Sequence, residues 1–157
     1  AVRLNGTSDI DWQRLIHRGK NIFNHFSHLP FYDYTKNITK FVDKPKNYHL
    51  TYSYTGRNWN ECVALLEEGE NIAMVFNMSE KESFPTSFAG YKVVNGDVTD
   101  LRTKDDKGII VGLKWKNIAD KKANDEVRNG IFCIQKNDVR LNINENIKNR
   151  IKFRIMV

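Results

Sequence analysis

Small polar and charged residues recur just after short β-prone runs in this 157-residue sequence. Asn5, Thr7, Ser8 and Asp9 follow the first run, and Asp33, Thr35 and Lys36 close the second. Thr51, Ser53 and Thr55 close the third, Asn77 follows the fourth, and Lys114 ends the last. Asp97, Asp100 and Arg102 stand in a polar stretch ahead of that last run. In α/β folds ligands bind outside the carboxyl ends of the strands, so parallel strands would gather these groups at one edge. Carboxylates with two lysines and an arginine could hold a polar metabolite, a phosphate or a divalent ion. Asp33 beside Lys36 could act as an acid–base pair if burial shifts both groups. The catalytic candidates are therefore Asp33, Lys36, Asp97 and Lys114. The ligand-binding candidates are Asn5, Ser8, Asp9, Thr35, Ser53, Asp100 and Arg102. The competing reading makes all of them turn and cap residues, because Asn, Asp, Ser and Thr serve turns for purely local reasons.

Other chemistries have less support. His25 and His28 lie three apart, with His17 nearby, but no carboxylate completes a ligand set and no His-Glu-x-x-His is present, so no metal site is expected. No Gly-x-Ser-x-Gly or Cys–His arrangement supports a nucleophile. The turn Asn5-Gly6-Thr7-Ser8-Asp9 resembles a weak anion-binding loop, yet Asp9 and Asp11 oppose an anion there. Tyr48, Tyr52 and Tyr54 share one strand face and could stack on bases or pack in a core.

The elements that must position these residues follow from periodicity. Residues 2–4 read as a strand, and Ser8 or Asp9 as the cap of a following helix. Trp12, Leu15, Ile16, Ile22, Phe23 and Phe26 have helical spacing, broken by Gly19 and ended by Pro30. Strands are expected at 31–34, 48–54, 71–76, 91–94 and 109–113, with a short helix at 38–42. Asn58 and Glu61 have capping-box spacing ahead of an amphipathic helix that turns Trp59, Cys62, Val63, Leu65 and Leu66 inward and ends at Gly69. Asn95-Gly96 is a hairpin signal, but Asp97, Thr99 and Asp100 follow too closely for a second strand and indicate a functional loop. Residues 118–127 are too charged for a clear helix, and 131–134 form a short apolar run. Val139, Leu141 and Ile143 alternate as in a strand, as do Ile151, Phe153 and Ile155.

Fold class is therefore α/β: a mainly parallel sheet with flanking helices, in a form that could be half of a (β/α) barrel, plus a basic C-terminal extension. The expected division is 1–134 for the α/β domain and 135–157 for the extension. Charge marks the same asymmetry. Residues 1–113 carry 14 Lys/Arg and 14 Asp/Glu, whereas residues 114–157 carry 11 and 5, which is the whole net charge of +6. Arg150, Lys152 and Arg154 would share one strand face and are the nucleic-acid candidates, against the alternative of a solvated lysine-rich surface. No run approaches the roughly 20 apolar residues of a membrane span, and no secretory leader is expected in the N-terminal residues. Cys62 and Cys133 stand far apart without a Cys-x-x-Cys motif, as expected of reduced thiols.

Six separated segments carry a family resemblance. They are Ala-Val-Arg-Leu-Asn-Gly-Thr-Ser-Asp-Ile (1–10), Phe-Tyr-Asp-Tyr-Thr-Lys-Asn (31–37), Asn-Tyr-His-Leu-Thr-Tyr-Ser (47–53), Gly-Tyr-Lys-Val-Val-Asn-Gly-Asp (90–97), Asp-Leu-Arg (100–102) and Gly-Ile-Ile-Val-Gly-Leu-Lys (108–114). In order and spacing they resemble the C-terminal part of the gene-product-88-like proteins of phages and mobile elements. The resemblance implies a lineage rather than a reaction, a cytoplasmic location in a bacterial host, and no particular cofactor or oligomeric state. Longer members carry an upstream cysteine-rich region reminiscent of an iron–sulfur cluster on an α/β barrel. Three readings follow: a polar ligand or catalytic site at the strand ends, a nucleic-acid-binding module using the basic segment, or a truncated remnant of a larger iron–sulfur barrel-like protein.

Overall fold

Short runs rich in aromatic and β-branched residues set the strands, because such side chains pack well on a pleated surface. The computed structural model describes residues 1–117, 119–144 and 147–148. In chain order the elements are β1 (Val2–Arg3), α1 (Ile22–His25), β2 (Phe31–Thr35), a 3-10 turn (Ile38–Phe41), β3 (Tyr48–Ser53), α2 (Trp59–Glu67), β4 (Asn71–Phe76), β5 (Ser87–Phe88), β6 (Tyr91–Asn95), β7 (Ile110–Lys114), α3 (Lys121–Arg128), β8 (Cys133–Ile134) and a second 3-10 turn (Val139–Asn142). The strands form one mixed sheet in the order β1-β2-β3-β4-β7-β6-β5. Every neighbouring pair is parallel except β5–β6. β3 pairs only with the first half of β4, and β8 pairs in parallel with Val75 and Phe76 at its end. The fold is thus α/β with a mainly parallel sheet. The sheet is open, and no closed barrel forms among the described residues.

Register assigns the two faces. Phe31, Asp33 and Thr35 of β2 stand beside Tyr48, Leu50 and Tyr52 of β3, and Tyr52 stands beside Ile72 of β4. This face carries the core: Cys62, Leu65 and Leu66 of α2 are buried against it, and Phe23 of α1 stacks on Tyr48 at 4.2 Å. On the opposite face lie Arg3, Tyr34, Ser53, Ala73, Val75 and Leu113. The strand order explains what crosses it. β1 to β4 advance along the sheet, whereas β6 to β7 steps back. A fixed crossover hand then sends the connection at 96–109 over the other face. It leaves with Gly96 N–H donating to the Gly112 carbonyl at 2.7 Å. A Cβ on Gly96 would sit 2.4 Å from Val111 Cγ1, so only glycine fits. It returns with Asn71 Nδ2 donating to the Asp106 carbonyl and Gly108 N–H donating to the Gly69 carbonyl.

Several local expectations are corrected. The helical face over 12–26 shrinks to Ile22–His25. Arg18 (φ 49°) and Gly19 (φ 76°) form a tight turn that no helix can cross, and Leu15 and Ile16 are exposed. Ser8 and Asp9 do not cap a helix: they bond Asn5 and the end of β2. The capping box does not form. Asn58 instead accepts from Thr55 N–H and donates to the Ser53 carbonyl, and Glu61 accepts from the Tyr52 hydroxyl. The charged segment near 121 is helical, with Asp120 capping Ala123 N–H at 2.9 Å and Arg128 at the favourable C-terminal end. Residues 139–142 form a 3-10 turn rather than a strand, because Asp138 caps Arg140 N–H and pairs with its guanidinium at 2.6 Å. That guanidinium lies over the rings of Phe88, Trp59 and Tyr54 and ties the segment to the core. Arg150, Lys152 and Arg154 lie outside the described residues.

Candidate functional site

The strand-end polar residues divide between the two faces of the sheet. Those after β1 and within β2 build a closed network on the core side. Asp33, fully buried, accepts from Asn5 N–H at 2.8 Å, Asn5 Nδ2 at 3.2 Å and the Tyr48 hydroxyl at 2.8 Å. Asn5 Oδ1 in turn accepts from the Ser8 hydroxyl, Ile10 N–H and the Trp12 indole N–H. Asp9 accepts from the Thr35 hydroxyl, Lys36 N–H and the ammonium of Lys40. Burial pushes the Asp9 carboxyl up, but Lys40, Lys36 N–H and Thr35 outweigh it and hold it below its ordinary value. Burial raises the Tyr48 phenol, and Asp33 raises it further. Each group has partners inside the network, which staples the 5–13 segment to β2 and the first 3-10 turn. Asp33 and Lys36, three residues apart, lie on opposite faces of the sheet: Asp33 faces the core and Lys36 lines the groove.

The remaining candidates meet on the opposite face, in an open groove of about 920 Å³. Lys36, Ser53, Asp97, Asp100 and Lys114 all line it. Ala73, Val75 and Leu113 form an apolar floor, and Trp115 and Phe132 an aromatic wall with ring centroids 6.1 Å apart. Asn124 accepts from the Trp115 indole N–H at 3.1 Å and fixes its orientation. Arg3 lies over the Tyr34 ring at 5.1 Å. Four cations (Arg3, Lys36, Lys114 and Lys116) face two carboxylates (Asp97 and Asp100). Asp97 accepts from Lys114 N–H at 2.9 Å, while Lys114 Nζ donates to the Glu80 carbonyl at 2.6 Å. The groove spans the carboxyl ends of β4 and β7, where the strand order reverses, which is the favoured ligand position in open α/β sheets.

Arg102 lines neither the network nor this groove. It is 4 % exposed beneath the crossover and lines a separate cavity with His49 and Thr51. The residues not anticipated from sequence are Arg3, Tyr34, Trp115, Lys116, Phe132 and Lys40. Parity in paired strands places Arg3 with Tyr34, and Trp115 directly follows Lys114, so those had a sequence signal; Phe132 and Lys40 arrive through tertiary packing. Burial pushes the thiol of Cys62 up to about 12 and that of Cys133 up to about 11, which removes both as nucleophiles near neutral pH. Among the described residues no group of three or more His, Cys, Asp or Glu could hold a metal ion, and no helix is long and apolar enough to cross a membrane.

A family model described as Gene product 88 matches residues 1–130. The match covers most of the chain and agrees with the resemblance carried by the six segments. No curated protein and no solved structure matches the chain. The chain belongs to the Gene product 88 family.

Proposed function

We propose that this phage-type member of the Gene product 88 family binds, at the carboxyl ends of its parallel strands, a small anionic ligand that carries a flat apolar group. The observation behind the reading is the composition of one groove. Four cations outnumber two carboxylates around an apolar floor with Trp115 and Phe132 at its side. Its volume of about 920 Å³ suits a ligand of nucleotide size. Arg3, Lys36 and Lys116 would receive the anion, the aromatic pair the flat group, and Ser53, Thr55 and Thr99 the polar edges. Should turnover accompany binding, Asp97 and Asp100 with Lys36 and Lys114 are the groups placed to move protons. Asp33 is not, since its oxygens are engaged by Asn5 and Tyr48.

The test is titration with adenosine 5′-monophosphate and the other common mononucleotides, read by tryptophan fluorescence and calorimetry. Saturable binding is expected. Trp115→Ala should weaken it about tenfold, equivalent to about 1.4 kcal/mol. Lys36→Gln, at an exposed position, should weaken it several-fold without loss of fold. Absence of saturation up to ~10 mM, weaker than the roughly −4 kcal/mol of millimolar affinity, would overturn the reading. So would unchanged affinity in both variants.

A further inference from the structure

We propose that the occupant of the groove is part of a single-stranded nucleic acid, whose chain continues past Trp115 into a second groove. This rests on the reading above and extends it from a mononucleotide to a strand. The second groove, of about 810 Å³, lies beyond the carboxyl ends of β4, β6 and β7, with Met78, Lys81, Asn95 and Arg128 in its lining. Asp97, Lys114, Trp115 and Lys116 line both grooves, so the two meet along these four residues. Both are open to solvent, and a strand can therefore pass over the junction. In sheet order from β1 to β6, every strand contributes to the combined trough: Arg3, Tyr34, Ser53, Val75, Leu113 and Asn95. Five strand spacings of about 4.8 Å make it about 24 Å long. A stacked strand rises about 3.4 Å per nucleotide, so that length takes about seven nucleotides, more than a mononucleotide can span.

Charge follows the same path. Lys81 and Arg128 join Arg3, Lys36, Lys114 and Lys116, giving six cations against Glu80, Asp97 and Asp100. Lys36, Lys81 and Lys116 are exposed and make no ion pair among the described residues. The rim of the second groove is fixed: Arg128 Nε donates to Asn77 Oδ1 at 2.6 Å, and Lys114 Nζ to the Glu80 carbonyl at 2.6 Å. Proteins that hold single strands combine a basic groove that tracks the backbone with aromatic rings on which bases stack. Here cations stand at both ends of the trough, and Trp115 stands where the two grooves meet. Asn124 orients its indole, and Phe132 adds a second ring on the side of the first groove. Bases can reach these rings only when unstacked from a duplex, so the aromatic pair selects single strands.

The probes are fluorescein-labelled DNA and RNA ten-mers of mixed sequence, single-stranded and duplex, followed by anisotropy across a salt series. Adenosine 5′-monophosphate serves as competitor. A single-stranded ten-mer should bind at least about tenfold more tightly than the mononucleotide, which should displace it. Lys81 lines the second groove and not the first, and it is exposed, so Lys81→Gln should fold as the parent does. That variant should flatten the log–log salt slope by about 0.7, the share of one phosphate contact on a single strand, and leave mononucleotide affinity unchanged. Replacing Arg150, Lys152 and Arg154 with Gln should preserve the binding that the mononucleotide displaces. If the mononucleotide binds but the ten-mer binds no more tightly, or Lys81→Gln keeps the parent slope, the strand proposal is overturned and the mononucleotide reading stands. If neither ligand binds, both fall. A duplex that binds as tightly as the single strand, or a ten-mer that the mononucleotide cannot displace, places binding outside the trough and also overturns the proposal.

Discussion

Tyr48→Phe decides whether Asp33 is a structural carboxylate or a reactive one. The substitution removes one hydroxyl and nothing else from a site that is fully buried. In the parent that hydroxyl donates to Asp33 Oδ2 at 2.8 Å. A hydrogen bond to a charged group contributes about 1.5–3 kcal/mol. Asn5 still supplies two N–H donors, at 2.8 and 3.2 Å, so the carboxylate stays partly satisfied. A loss of about 2 kcal/mol is therefore expected, in the middle of that range. Asp33→Asn should lose more, because its amide cannot accept from Asn5 N–H, Asn5 Nδ2 and Tyr48 together. Urea denaturation at neutral pH measures both, with the denaturant slope unchanged if only stability moves. The double variant closes a cycle, and a coupling of about 1–3 kcal/mol is expected for partners in one network. A loss below about 0.5 kcal/mol for Tyr48→Phe, less than an ordinary neutral hydrogen bond, would refute the network argument and return Asp33 to the list of reactive groups.

Two further outcomes are expected. Asp9 is held below its ordinary value, so its ionised form stabilises the fold above the unfolded pKa of about 3.9, and that contribution is lost as pH falls through the lower folded value. Asp9→Asn should thus lower the urea midpoint at pH 7, and the gap from the parent should close in strong acid; a gap constant with pH would count against the Lys40–Asp9 pair. For the basic C-terminal segment, replacing Arg150, Lys152 and Arg154 with Gln should flatten the log–log salt dependence of duplex DNA affinity by up to roughly 2.7, if each contacts a phosphate. Absence of DNA and RNA binding by the parent at low salt would dispose of the nucleic-acid reading.

The sequence alone determined the six main parallel strands, though not β5 or the antiparallel pair it makes with β6. Runs such as 48–53 and 71–76 carry their own β preference, and a single apolar helix between them leaves parallel pairing as the simple solution. It also determined the buried face of α2, because Cys62, Leu65 and Leu66 recur at helical spacing. Residues that follow strand ends were visible as a polar set for the same reason, since they interrupt an apolar pattern. Tertiary structure decided which of them face each other. Parity at a strand end depends on where the strand stops, and one residue sends a side chain to the other face. Asp33 thus joined Tyr48 in the core, while Lys36 reached the groove. The path of the 96–109 crossover depended on strand order, which no local pattern contains. So did the burial of Arg102 beneath it and the arrival of Phe132 beside Trp115. The capping box at Asn58, the strand expected at 139–143 and the helix expected after Asp9 failed for a related reason. At Asp138, Asn58 and Asn5, side chains bonded to nearby backbone and distant partners more favourably than the periodic pattern alone implied, and such competition is settled only when the chain is folded.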